Sequence, residues 1–292
     1  MNSWNFNVDG WRRAMATQKR ETLGGTMKAL APAWLAAAAL LLLSSQAMAF
    51  SGSYIPGAGI DNTVHDMSQT TSFNYVGSPP DTLNRKCIFC HAPHNTYRLS
   101  TATGGAGPQA TAEFDYLPLW NHTLQADTAY QMYENGPGAP QVGDHASQAI
   151  LLTGMQPGST SLLCLSCHDG SVAVNSYGNA DQLPQSVSTG TSFISSVYQI
   201  GKDKYLGNHH PIGFNYDVVQ AADTEIREAD AAMLTPTTFI RDHLYAGGSN
   251  MECGTCHSVH NKGNSGETLL WRSDQNSELC LTCHDKGQYV AP

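Results

Sequence analysis

All eight cysteines of this chain fall into one repeated pattern. "CIFCH" (87–91), "CLSCH" (164–168), "CGTCH" (253–257) and "CLTCH" (280–284) each set two thiols one helical turn apart and a histidine directly after. Two cysteines at that spacing can both reach the vinyl groups of a porphyrin and form thioethers. The next histidine can then bind the iron as proximal ligand. The pattern predicts four covalently bound haem c groups. Cys87 with Cys90, Cys164 with Cys167, Cys253 with Cys256, and Cys280 with Cys283 are the attachment pairs. His91, His168, His257 and His284 are the proximal ligands. Zinc ribbons use two CxxC pairs per metal and need no histidine after each. A redox-active CxxC is expected once, beside a thioredoxin-like βαβ pattern that is absent here.

Each iron has a second axial position. Of the twelve histidines, eight remain after the proximal set: His65, His94, His122, His145, His209, His210, His243 and His260. Methionine is the rival ligand. Met67, Met132, Met155, Met233 and Met251 share no repeated context, so the sequence favours bis-histidine, low-potential sites.

An internal repeat narrows the choice. "CIFCHAPHN…LPLWNH…SLLCLSCHDG" lines up with "CGTCHSVHN…ETLLWRS…SELCLTCHDKG", giving two-haem units at about 87–168 and 253–284. The alignment sets Trp120 against Trp271, both expected on porphyrin faces, and it sets His122 against Ser273. His94 and His260 each lie three residues after a proximal histidine and share its face if the helix continues. They cannot grip the same iron, because axial ligands approach from opposite sides. They should therefore reach a neighbouring haem and draw two rings together. Two more ligands must come from outside the units. His65 in "TVHDMS" and His210 in "NHHPIGF" are the candidates, since Pro211 fixes the backbone beside His210. His209, His122, His145 and His243 rank below these four.

The elements that must position these groups are slight. The chain opens with Arg12, Arg13, Lys19, Arg20 and Lys28, an apolar run from Ala29 to Leu43, and "SSQAMA". That is the pattern of a secretory signal peptide over 1–49, with cleavage before Phe50. The run is short for a membrane anchor, and no later run is long enough to span a bilayer. Residues 50–292 should form one exported tetrahaem domain without stable membrane insertion. They carry 10 Lys plus Arg against 22 Asp plus Glu, a net charge of −12, which argues against nucleic acid or anionic membranes as partners. The expected fold is a multihaem cytochrome c fold: mostly coil, with short helices around a haem chain and little or no sheet. The cofactors take the place of an ordinary core. Stretches 100–111, 135–144 and 175–196 read as loops. One ordinary helix is expected over "AADTEIREADAAML" (221–234), stopped at Thr235-Pro236.

The order "VHDMS", "CIFCHAPHN", "PLWNH", "CLSCHDGSVAV", "HHPIGFNY", "ECGTCHSVHN", "LCLTCH" resembles the doubled-CXXCH multihaem cytochromes. More narrowly it is similar to the four-haem outer-surface filament cytochromes of metal-reducing bacteria. Stretches 97–115 and 175–205 carry little of the likeness. The resemblance implies subunits stacked head to tail into an extracellular filament with haems in a continuous chain, alternating between parallel-stacked and T-shaped contacts. It also implies an N-terminal histidine that completes a haem of the adjacent subunit, and His65 is the matching position.

The expected function is a filament-forming conductor that passes electrons from the cell to external acceptors or redox partner proteins. The alternative is a discrete periplasmic tetrahaem electron shuttle or the cytochrome subunit of an oxidoreductase. An enzyme is the weakest reading. No CxxCK is present, and spare histidines outnumber irons two to one.

Overall fold

The CXXCH segments fold as short helical turns. A computed structural model describes residues 59–68, 83–103, 107–132, 150, 153–178, 192–262 and 269–292. The segment 1–49, the stretch 135–144 and His145 lie outside these residues, which all belong to one unit, Phe50–Pro292. A 3-10 turn covers Cys87–Phe89. Helix α1 is Ser159–His168, α2 is Tyr216–Ala222, α3 is Cys253–Cys256 and α4 is Glu278–Cys283. Two small antiparallel sheets complete the regular structure. Strand β1 (Phe214–Asn215) pairs with β4 (Asn250–Met251), and β2 (Met233–Thr235) with β3 (Thr238–Phe239). Among the described residues no helix is long and apolar enough to cross a membrane.

Helix α1 carries the second CXXCH and buries Leu162, Leu163 and Leu165. They join Phe114, Trp120, Tyr130, Leu206, Phe214, Tyr216, Ile240 and Met251 in one apolar cluster. Phe89, Val174, Tyr177 and Ile194 form a second cluster against Cys90 and Cys167. The chain therefore buries an apolar core of its own beside the attachment cysteines, more than the sequence suggested.

The expected helix over 221–234 does not form. Helix α2 ends at Ala222, where the Asp223 N–H closes on Val219 O at 2.8 Å. Beyond that point the chain is pulled onto the last CXXCH segment. The Arg227 N–H donates to Cys283 O at 2.8 Å, Arg227 Nε donates to Leu281 O at 3.1 Å, and Ile226 bridges His284. These long-range bonds satisfy the backbone groups that a helix would otherwise have used. At its other end α2 is capped by Asn215, whose side chain accepts the Val218 N–H.

The internal repeat is present as a hydrogen-bond ladder, and it corrects the register read from sequence. In the first unit Ala92 N–H donates to Leu119 O and Asn121 N–H to Cys90 O. In the second, Ser258 N–H donates to Leu269 O and Trp271 N–H to Cys256 O. Left-handed residues match as well: Asn95 with Asn261, and Leu119 with Leu269. Trp120 is thus equivalent to Leu270, and Asn121 to Trp271. The reason lies in the side chains. Asn121 Nδ2 donates to Ile88 O at 2.8 Å, and Trp271 Nε1 donates to Gly254 O at 2.9 Å. Both tie the connecting strand to the carbonyl between the two cysteines. An identical residue type one place away had drawn the sequence alignment off by one.

Candidate functional site

Two of the four histidines that close a CXXCH are held by backbone carbonyls. His91 Nδ1 lies 2.6 Å from Pro118 O, and His257 Nδ1 lies 3.3 Å from Leu269 O. A carbonyl can only accept, so Nδ1 carries the proton in each and Nε2 is left with the lone pair that a metal needs. Burial holds His168 down to about 4, helped by the charges of His65 and His257, and lowers His257 and His284 as well. These rings are neutral and available near neutral pH.

Three proximal rings face a distal candidate. The centroids of His91 and His260 are 6.0 Å apart, those of His168 and His65 6.1 Å, and those of His284 and His210 6.2 Å. An imidazole nitrogen sits about 2.0 Å from a bound transition metal, with the ring centre roughly 1.2 Å further back. Two axial rings on one metal are therefore separated by about 6.4 Å, close to all three observed gaps. His210 Nδ1 lies 2.9 Å from its neighbour's carbonyl, Pro211 O, which again leaves Nε2 free. His209, partly buried and with its basicity lowered by burial, makes no such ring pair.

Among the described residues no ring pairs with His257 in this way. His94, the repeat-equivalent of His260, is exposed. His122 is fully buried, with Nδ1 2.9 Å from Thr123 O and Nε2 2.9 Å from Ala173 O and 3.2 Å from Cys167 Sγ; the neutral ring can donate its one N–H to only one of the two carbonyls. His243 Nε2 is 2.7 Å from the Thr238 hydroxyl, and its ring packs edge-on against Trp271 at 4.6 Å. Among the described residues, the ring neighbours of His122 and His243 are Trp120 and Trp271, and neither stands opposite the histidine of a CXXCH. Trp271 lies against His243, while Trp120 meets the His91 ring edge-on at 6.1 Å.

His65 was expected to reach an adjacent subunit. Here its segment is docked on its own chain. Asn261 Nδ2 donates to Gly59 O at 3.0 Å, and Lys86 Nζ contacts buried Asp66 at 3.1 Å and Asp61 at 2.7 Å. These anchors bring His65 to this chain's own His168.

The donor set fits a porphyrin carrying carboxylates. No two of the eight cysteines are joined as a disulfide. Burial pushes Cys90 and Cys283 up to about 11 and Cys256 up to about 12, as expected of protonated thiols in apolar surroundings. Trp120 Nε1, Gln125 Nε2 and Arg272 Nε are buried without a hydrogen-bond partner. Arg272 Nε stands 3.8 Å from the Glu278 carboxylate, too long for a hydrogen bond. All three are N–H donors, and haem propionates supply acceptors of the kind they lack.

Residues 246–289 match the family described as the doubled CXXCH motif. The doubled motif marks a multihaem c-type cytochrome, a haem-binding electron-transfer protein. No curated protein matches the chain. The first unit of the chain lies outside the matched residues, but it carries the same ladder, the same left-handed residues and the same CxxCHxxHN order.

One functional pair had no role in the sequence reading. Asp169, directly after His168, is buried and accepts from Lys204 Nζ at 2.6 Å, Tyr130 OH at 2.6 Å and Ser171 N–H at 2.7 Å. Its counterpart Asp285, after His284, accepts from Arg227 Nη2 at 2.7 Å. The signal was present as "CHDG" and "CHDK": an acid stands after the CXXCH histidine in the second motif of each unit and pairs with a cation from elsewhere in the chain.

Proposed function

We propose that this cytochrome binds four haem c groups, one at each CXXCH, with bis-histidine ligation, and passes electrons along them. Bound haem supplies the one-electron iron couple. The residues supply position. The observation that carries the reading is the set of ring pairs His91–His260, His168–His65 and His284–His210, each separated by the span of a metal between two imidazoles. The ladder gives the fourth pair: if His260 serves the His91 site, its equivalent His94 serves the His257 site. That exchange ties the two units to each other. Every axial position would then be filled, which leaves no iron for substrate and argues for a carrier rather than an enzyme.

The proposal extends to export and assembly. The leader over 1–49 directs the chain across the membrane, and assembly makes it an extracellular filament. The arm 59–68 is joined to the first CXXCH by residues 69–82. The contact it makes on its own His168 can equally form on the next copy, and a head-to-tail exchange of that kind does not close. A second reading has its own support: His65 docked within one chain makes each molecule complete, as a discrete periplasmic shuttle requires.

Electron microscopy and gel filtration of the secreted holoprotein test between them. Filaments that vanish in His65→Ala, with haem still attached, are expected of exchange. A monodisperse monomer whose His65→Ala variant stays monomeric and gains one high-spin site would overturn it in favour of the shuttle.

A further inference from the structure

Glu252 is a buried carboxylate that the ligation scheme does not use. It stands directly before α3 and reaches across to the start of α1. Its Oε1 and Oε2 accept the Gly158 N–H at 3.1 and 3.2 Å, and Oε2 also accepts the Ser161 hydroxyl. The same Ser161 oxygen accepts the Cys253 N–H at 3.0 Å. A Cβ on Gly158 would stand 2.5 Å from Oε1, so any larger residue there would displace the carboxylate. Glu252 is 2 % exposed. The charged residue that bears on it most is another anion, Asp115.

This carboxylate sits where the two units meet. Cys164 of α1 and Cys253 of α3 lie within sulfur hydrogen-bond reach of each other. Glu252 clamps the two attachment helices together just beside that contact. Residues 253–256 separate it from His257, and none of its hydrogen-bond partners is an axial ligand.

We propose that Glu252 is the proton-linked charge that sets the reduction potential of the two sites meeting at Cys164 and Cys253. The inference rests on haem being bound at both. A carboxylate in a poorly solvated junction stabilises ferric iron, whereas the neutral acid favours ferrous iron. One electron delivered by a redox partner reduces one iron, and one proton from solvent converts the Glu252 carboxylate to the acid, so charge and atoms balance. Burial holds the Glu252 carboxyl up at about 7, against the hydrogen bonds from Ser161 and Gly158 that lower it. The groups facing it are Asp115, Tyr245 and Cys253, with Cys164 beside Tyr245 and Cys253. Burial pushes Tyr245 up to about 12, so it stays neutral. Both sulfurs become thioethers once haem is attached and no longer titrate. Among the chain's own groups Asp115 is left as the neighbouring anion.

Potentiometric titration of the intact holoprotein between about pH 5 and pH 9 tests this. The native protein should show at least one couple whose potential falls as pH rises through neutrality. The slope approaches a tenfold change in the reduction equilibrium per pH unit, about 59 mV for one electron. Glu252→Gln removes the charge while its amide oxygen still accepts the Gly158 N–H and its amide nitrogen turns to the Ser161 oxygen, and it should leave that couple high and flat. Asp115→Asn should move the native inflection to lower pH without removing it. Superimposable native and Glu252→Gln profiles would overturn the proposal. If Glu252→Gln does not mature, the infrared redox-difference spectrum of the native protein decides. Reduction near neutral pH must raise a carboxylic-acid band, and its absence also overturns the proposal. Peptide mass mapping that found no haem at Cys164/Cys167 or Cys253/Cys256 would remove the ligation scheme, and this inference with it.

Discussion

Replacing His260 with alanine tests the axial pairs at a point where the two units depend on each other. The His260 ring stands 6.0 Å from the His91 ring, with an interplanar angle of 30°. Alanine deletes every ligand atom, and water takes the position. One site in four then turns high-spin, a quarter of the low-spin signal in magnetic circular dichroism or electron paramagnetic resonance. The potential of that site rises with the loss of the second imidazole. Stability falls as well. A bond from His91 through a metal to His260 closes a loop over residues 91–260, and chain entropy gives such a loop about 5 kcal/mol. That is an upper figure, because the other axial bonds already shorten the loop. Guanidinium unfolding of the oxidised holoprotein, monitored in the haem bands, reads the loss. His122→Ala and His243→Ala are the controls, since Thr123 O or Ala173 O holds the first ring and the Thr238 hydroxyl the second. Neither should change spin state. A His260→Ala protein that keeps its full low-spin signal, or a His122→Ala protein that loses a quarter of it, would refute the reasoning.

Lys204→Met should destabilise the holoprotein by about 3–5 kcal/mol in denaturant unfolding, because it leaves the Asp169 carboxylate buried and unpaired. Asp169 also gives the protein an acid limit. Burial alone would raise its pKa, but hydrogen bonds from Lys204, Ser171 and Tyr130 outweigh that and lower it. The stability it contributes is present above the unfolded value of 3.8 and disappears as pH falls through the folded one. Acid titration of Asp169→Asn should lack that component. At the corrected repeat position, Trp271→Asn should cost less than Trp271→Ala in thermal unfolding. Asn121 already makes the same bond to the CXXCH carbonyl in the first unit, whereas alanine makes none and costs about 3–5 kcal/mol in lost packing and hydrogen bonding.

The part of the molecule legible in the sequence was local. Two thiols and a histidine at CXXCH spacing are placed by one turn of backbone, so Cys87 through His91 declare their chemistry without tertiary information. The spare histidines and the repeat singled out His65, His94, His210 and His260; the structure brings three of them beside the histidine of a CXXCH and leaves His94 exposed. Which ring each would face was not legible. The partners of the 65–168 and 91–260 pairs are far apart in the chain, and only packing joins them. The stretch 221–234 has helical periodicity, yet Ile226 and Arg227 are pulled onto residues 281–285 instead. Trp120 and Trp271 invited an alignment that the ladder shifts by one, because the second unit gave the bonding role of Asn121 to a tryptophan. Glu252 was invisible for a different reason. In so acidic a chain one more glutamate reads as surface, and only its burial between Gly158, Ser161 and Cys253 sets it apart.

The intact mass of the secreted protein under denaturing conditions tests the central claim most directly. Thioether-bound porphyrin survives unfolding, whereas ligand held by coordination alone does not. The account predicts one species, beginning at Phe50, that carries the mass of four haem groups. A chain that emerges with its thiols free, or with fewer than four haems, would contradict it.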